Sequence, residues 1–203
     1  MNKLISTLTL IVFSICAKAQ TEKGTVYVGG NAAFSRSTSS QNTSSYANSQ
    51  VYVSPTVGVF VAKNFSIGLT PQYSYSETSY SSLHYNGAGY STSVSKDETN
   101  LLGGGIDLRY YIAIVPKLYF FPQLSTSYRV SVGKADVDTK VINANLSPNI
   151  TFFATQKLAL NFSYGALYYT HQTDKSPIMA SKNESFGLSI NQGTALGINF
   201  YFN

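Results

Sequence analysis

The chain has 203 residues, enough for one domain, and only 11% of them are charged, against the ~25% usual in soluble domains. With 16 Tyr, 12 Phe and no Trp, a water-facing surface would be short of Lys and Glu. The net charge of +5 includes Lys3 and Lys18 near the start, and the remaining basic residues are scattered, which argues against a nucleic-acid surface.

Residues 1–19 contain Lys3, an apolar stretch from Leu8 to Ile15 and the small-x-small ending Ala17, Lys18, Ala19. These are the parts of a secretory signal peptide, with cleavage expected before Gln20 and a mature domain over 20–203. Cys16 follows the bulky Ile15, where a lipidation site wants a small residue. It is the single cysteine, so the mature domain is expected to use neither disulfides nor thiolates. No later stretch approaches the ~20 consecutive apolar residues of a membrane helix.

Alternation at period 2 predicts eight strands, at 24–36, 50–62, 65–77, 100–113, 118–132, 141–154, 158–171 and 185–203. In the second, Val51, Val53, Pro55, Val57, Val59 and Val61 alternate with Tyr52, Ser54, Thr56, Gly58 and Phe60. In the last, Leu196, Ile198, Phe200 and Phe202 alternate with Ala195, Gly197, Asn199 and Tyr201. Connections alternate between short, at 63–64, 114–117 and 155–157, and long, at 37–49, 78–99, 133–140 and 172–184. One apolar parity, one small polar parity and turns of alternating length predict an all-β protein, an eight-stranded antiparallel up-and-down transmembrane β-barrel. The long segments 37–49 and 78–99, rich in Ser, Thr, Asn, Gly and Tyr, are expected as mobile loops outside the membrane.

The outward apolar positions along the strands, among them Val26, Phe34, Ile67, Leu69, Ile106, Leu108, Leu124, Ile150, Leu160 and Leu188, carry no charge, whereas Asp107, Arg109 and Arg129 take inward parity, as the cost of a lipid-facing charge requires. Phe34, Tyr75, Tyr128, Tyr168 and Phe186 form an expected aromatic girdle at the long-loop end. Pro55, Pro71, Pro122 and Pro148 fall inside strands with outward parity, each removing a ladder donor. Inward at the short-turn end, Phe60, Tyr111, Phe121, Phe153 and Tyr201, with Tyr27 and Tyr119, are candidates to plug a lumen only just wide enough for side chains. Above them, Asp107 and Arg109 are expected to pair as an internal brace, with a small polar ligand as the functional alternative. Arg129 either joins that pair or stands in water under the outer loops.

Nothing in the spacing of His84 or His171 assembles a catalytic pair, and no His or Cys pattern suits a metal. No enzyme activity, metal or cofactor is therefore expected. The leading expectation is a structural or surface-interaction role through extracellular loops, and the alternative is a narrow, porin-like passive channel. A secreted lipocalin-type barrel would invert the faces and put Gly, Ser, Asn and Tyr on the outside.

The run Ser54-Pro55-Thr56-Val57-Gly58-Val59-Phe60-Val61 followed by Lys63-Asn64-Phe65-Ser66-Ile67-Gly68-Leu69, together with the strand from Gly197 to Phe202, resembles the small outer membrane protein beta-barrel domain family of Gram-negative bacteria. The resemblance covers nearly the whole mature chain. It implies residence as a monomer in the lipids of the cell outer membrane and insertion by the barrel assembly machinery, which reads a final strand with an aromatic end. Here Phe202 is penultimate and Asn203 last. The resemblance implies no catalytic residues.

Overall fold

The structure is a computed structural model, and it describes residues 21–202 except 42, 86, 88, 134–136, 177–179 and 191–194. The signal-peptide segment, the Gln20 junction, Asn191 and Asn203 lie outside the described residues. Its strand segments are β1 (Val26–Gln41), β2 (Ser44–Ala62), β3 (Phe65–Tyr85), β4 (Tyr90–Tyr110), β5 (Ile112–Val115), β6 (Leu118–Ser131), β7 (Asp138–Phe153), β8 (Leu158–Ser163), β9 (Ala166–Lys175), β10 (Ala180–Ser189) and β11 (Ala195–Phe202). β5 continues β4, β9 continues β8 and β11 continues β10, so the segments make eight barrel strands. All pairings are antiparallel, and β1 pairs with β2 on one side and β11 on the other, closing the sheet on itself.

The faces are those that alternation requires. Leu69 is 63% exposed and Phe186 73%, while Asp107 is 2% and Arg109 6% exposed. Such an apolar exterior around a polar interior is stable with lipid outside. The Lys63-Asn64 turn works because Asn64 takes φ 64, a left-handed conformation that Asn tolerates better than most residues.

Two expectations are corrected. Segments 37–49 and 78–99 are not loops over most of their length, because β1 and β2 stay paired up to Gln41↔Ser44 and β3 and β4 up to Tyr85↔Tyr90. β2 and β3 pair as far as Ser44↔Ser82, so β1 to β4 rise together as a four-stranded palisade. β3 has 21 residues, roughly twice the ~9–11 needed to span a bilayer. Ser, Thr and Tyr support a strand well, but with both faces wet there is no apolar parity to reveal it. Cross-strand bonds such as Asn48 Nδ2 to Thr78 Oγ1 at 2.9 Å hold the palisade instead.

The second correction concerns Tyr168, which faces the lumen and not the outer girdle. β7 pairs Asn149↔Ser163 and then Leu146↔Leu167, so one extra residue enters between β8 and β9. Gly165, at φ 69, lies in that bulge and inverts the parity beyond it. Tyr169 takes the outward position, 39% exposed.

The prolines have a physical reason. Between the rungs Val53↔Tyr73 and Val57↔Leu69 the β2–β3 ladder is interrupted, and Pro55 and Pro71 stand opposite each other in that gap. Pro122 and Pro148 pair with each other, and each has a break on its other side. Beside Pro122, β4 gives way to β5 at Tyr111. Beside Pro148, whose carbonyl accepts from Tyr164 N at 3.4 Å, β8 gives way to β9. The lost donors thus coincide with interruptions of the ladder.

Candidate functional site

The lumen divides into a floor, a brace and a cup. Tyr27, Phe60, Tyr111, Phe121, Phe153 and Tyr201 are almost fully buried at the short-turn end, with Tyr119 beside them. Tyr111 stacks on Phe121 with ring centroids 4.8 Å apart, and Phe153 meets Tyr201 at 4.9 Å and Tyr119 at 5.5 Å. Phe60 bridges Tyr111 and Tyr27, at 5.2 and 6.1 Å. These rings come from β1, β2, β6, β7 and β11 and from Tyr111 at the β4–β5 break, so they meet across the barrel and not along one wall. At such spacings aromatic pairs pack in offset and edge contacts.

Tyr27 enters this floor through space left by glycine. A Cβ on Gly58 would lie 2.2 Å from Tyr27 Cζ, and one on Gly68 would lie 2.8 Å from its hydroxyl. The ring therefore lies across β2 and β3 and donates its hydroxyl to Asp107 Oδ2 at 3.1 Å.

Asp107 and Arg109 sit two residues apart on one face of β4 and make the brace. Arg109 Nε donates to Asp107 Oδ2 at 2.7 Å, and Thr70 Oγ1 donates to Asp107 Oδ1 at 3.2 Å. The Arg109 guanidinium lies 4.6 Å from the Tyr27 ring centroid and 5.8 Å from that of Phe121, a cation–π placement. With the Asn199 amide turned to suit its neighbours, its oxygen accepts from Arg109 Nη1 at 3.1 Å and from Asn161 Nδ2 at 2.9 Å. Both charges are thus compensated inside the lumen. Arg129 does not join them. It reaches across Gly103, where a Cβ would meet its side chain at 2.9 Å, and donates from Nη1 to Ser74 Oγ at 3.4 Å.

Above the brace is a cavity of about 440 Å³ whose wall is dominated by amides and hydroxyls, among them Gln72, Gln123, Asn143, Asn145, Ser125 and Thr56. Its lining reaches from Arg109 and Phe121, beside the aromatic floor, to Asn143 and Tyr168 farther along the strands. The sequence reading missed the cup's shape, because an eight-stranded lumen is expected to be filled. The inward glycines carried the signal, since Gly105 and Gly197 line the cavity and add no side chain.

His171 stands apart from this site. Its Nδ1 lies 3.0 Å from Glu184 Oε1 and its Nε2 lies 3.3 Å from Thr173 Oγ1. That row of hydroxyl, imidazole and carboxylate shares the parity of Tyr169 on the outer wall and does not line the lumen cavity. Among the described residues no group of three or more His, Cys, Asp or Glu side chains is placed to hold a metal ion.

No curated protein matches the chain. The family model described as outer membrane protein beta-barrel domain matches residues 5–197, nearly the whole sequence. Closed antiparallel topology, an apolar exterior and this match agree on an outer-membrane β-barrel protein. The chain belongs to the outer membrane protein beta-barrel domain family.

Proposed function

We propose that this protein is a non-enzymatic, non-conducting barrel that acts at the cell surface through the palisade of β1 to β4. The observation that carries the reading is the aromatic floor, in which Phe60, Tyr111, Phe121, Phe153 and Tyr201 meet across the lumen. A closed floor leaves the outward face as the working surface. Above the membrane the palisade presents Tyr46 opposite Tyr80 on its lumen-side parity and Leu83, Tyr90 and Val94 on its outward parity, all exposed, and aromatic side chains supply contact area at low entropic cost. Lipid surrounds the barrel as a monomer, and the assembly machinery delivers it there by the final strand β11.

The test replaces 37–49 and 78–99 with tight turns and compares cells carrying the clipped and full barrels for cell–cell aggregation and retention on coated surfaces. Normal outer-membrane levels with loss of both supports the reading. Unchanged aggregation and retention contradicts it. The alternative, a narrow passive channel, is favoured by the polar cavity alone and requires the floor rings to withdraw.

A further inference from the structure

The cup above the brace has the chemistry of a ligand site, and the state of its charges says which ligand. Asp107 accepts from Tyr27, Thr70 and Arg109, while Arg109 is spent on Asp107, Asn199 and the Tyr27 ring. Arg129 does not line the cavity. An ionic guest therefore finds no unspent opposite charge on the wall. What remains are amides, each both donor and acceptor, and hydroxyls, which serve as either. Two amide oxygens in the wall, Asn145 Oδ1 and Asn161 Oδ1, are buried and have no hydrogen-bond partner among the described residues. Buried amide groups are normally satisfied, so these mark places where the wall adjusts to a guest or to ordered water.

Two rings complete the wall. Tyr52 lines the cavity from β2, and Tyr168, turned inward by the Gly165 bulge, lines it from β9 and lies across Gly187, where a Cβ would meet its hydroxyl at 2.7 Å. Aromatic faces with nearby amides and hydroxyls suit a molecule with C–H faces and an equatorial rim of hydroxyls. The volume of about 440 Å³ falls within the ~300–1,000 Å³ of small-molecule sites.

We propose that the cup binds a neutral polyhydroxylated ligand, a saccharide unit, entering from outside the cell. Asn145 and Gln123 hold its hydroxyls, and Tyr52 and Tyr168 flank its C–H faces. This goes beyond the palisade reading and is independent of it, since the cup is built from the lumen wall and not from the upper hairpins.

The test is calorimetric titration of the refolded mature protein in detergent micelles with glucose, N-acetylglucosamine and maltose, and with inorganic phosphate and glycine as charged probes. Two variants run alongside, Asn145→Leu, which keeps the side-chain size and removes the amide, and the same change combined with Gln123→Leu. Heat-modified gel migration certifies that each is folded. Saturable binding of at least one sugar, weakened about tenfold by Asn145→Leu and further by the double variant, supports the proposal. Clipping 78–99 leaves that binding intact, which separates it from the palisade function. Absence of binding by all three sugars, binding of phosphate or glycine in their place, or sugar binding unchanged in the folded variants overturns it.

Discussion

Asp107→Ala removes one half of the brace and leaves the Arg109 guanidinium, 6% exposed, with Asn199 and the Tyr27 ring as its company. Breaking a buried pair in this way costs ~3–5 kcal/mol. The Tyr27 and Thr70 hydroxyls lose their acceptor as well, but the open cup gives water access from above, which puts the expected value near the lower end, about 3 kcal/mol. Arg109→Met leaves the Asp107 carboxylate, 2% exposed, with two hydroxyl donors and no cation, and is likewise expected to cost about 3 kcal/mol. The double variant Asp107→Leu, Arg109→Met buries no charge and exchanges the pair for apolar volume, so its cost is expected to stay under about 2 kcal/mol. The assay is urea unfolding in lipid vesicles, read by far-UV circular dichroism and heat-modified migration, for all of these variants. An Asp107→Ala loss within about 0.5 kcal/mol of zero, or single losses that add up to the double within that margin, refutes the brace.

Leu160→Arg places a cation on the lipid-facing parity between Phe152 and Ile198; at the bilayer midplane this costs ~2–4 kcal/mol, and depleted outer-membrane levels on a blot are expected. Gly58→Ala drives a methyl group into Tyr27; a loss of ~1–3 kcal/mol in urea unfolding is expected from overpacking, and Tyr27→Ala in the same chain relieves the clash, so the two losses do not add. In the palisade, the Tyr75 hydroxyl and then Lys96 hold the Glu77 carboxyl below its usual value of 4.5. A carboxyl depressed in the folded state stabilises it above the unfolded value and loses that contribution as pH falls through the folded value. Amide hydrogen-exchange protection in β3 and β4 above the membrane, taken relative to the intrinsic exchange rate at each pH, is therefore expected to fall only in acid, below about 4.5, and Glu77→Gln removes that acid step.

The lipid-facing wall was legible because a single rule, no charge on the outward parity, applies along most strands, and it put Asp107 and Arg109 on the same inner face that the structure gives them. The aromatic floor was legible for the same reason, since Phe60, Tyr111, Phe121, Phe153 and Tyr201 share inward parity near short turns. Tyr168 was not, because a one-residue bulge at Gly165 leaves no mark in the pattern beyond an ordinary glycine, yet it exchanges the faces of Tyr168 and Tyr169. The palisade was hidden because a strand wet on both sides has no hydrophobic period, and Ser-rich composition then reads as loop. The relation of the prolines to ladder breaks needs the registers Pro122↔Pro148 and Val53↔Tyr73, which no local pattern contains. Arg129 was placed correctly by parity, but its partner Ser74 lies across a neighbouring strand, through the space left by Gly103.

The central claim is that the aromatic floor closes the lumen, and ionic conductance of the refolded mature protein in a planar lipid bilayer tests it most directly. Wild type is expected to be silent, while Phe121→Ala with Phe153→Ala, which removes two rings almost fully buried in the floor, is expected to give steady single-channel steps. Steady channels from the wild type would contradict the closed floor, bring the passive-channel reading forward and turn Asp107, Arg109 and Arg129 into selectivity candidates.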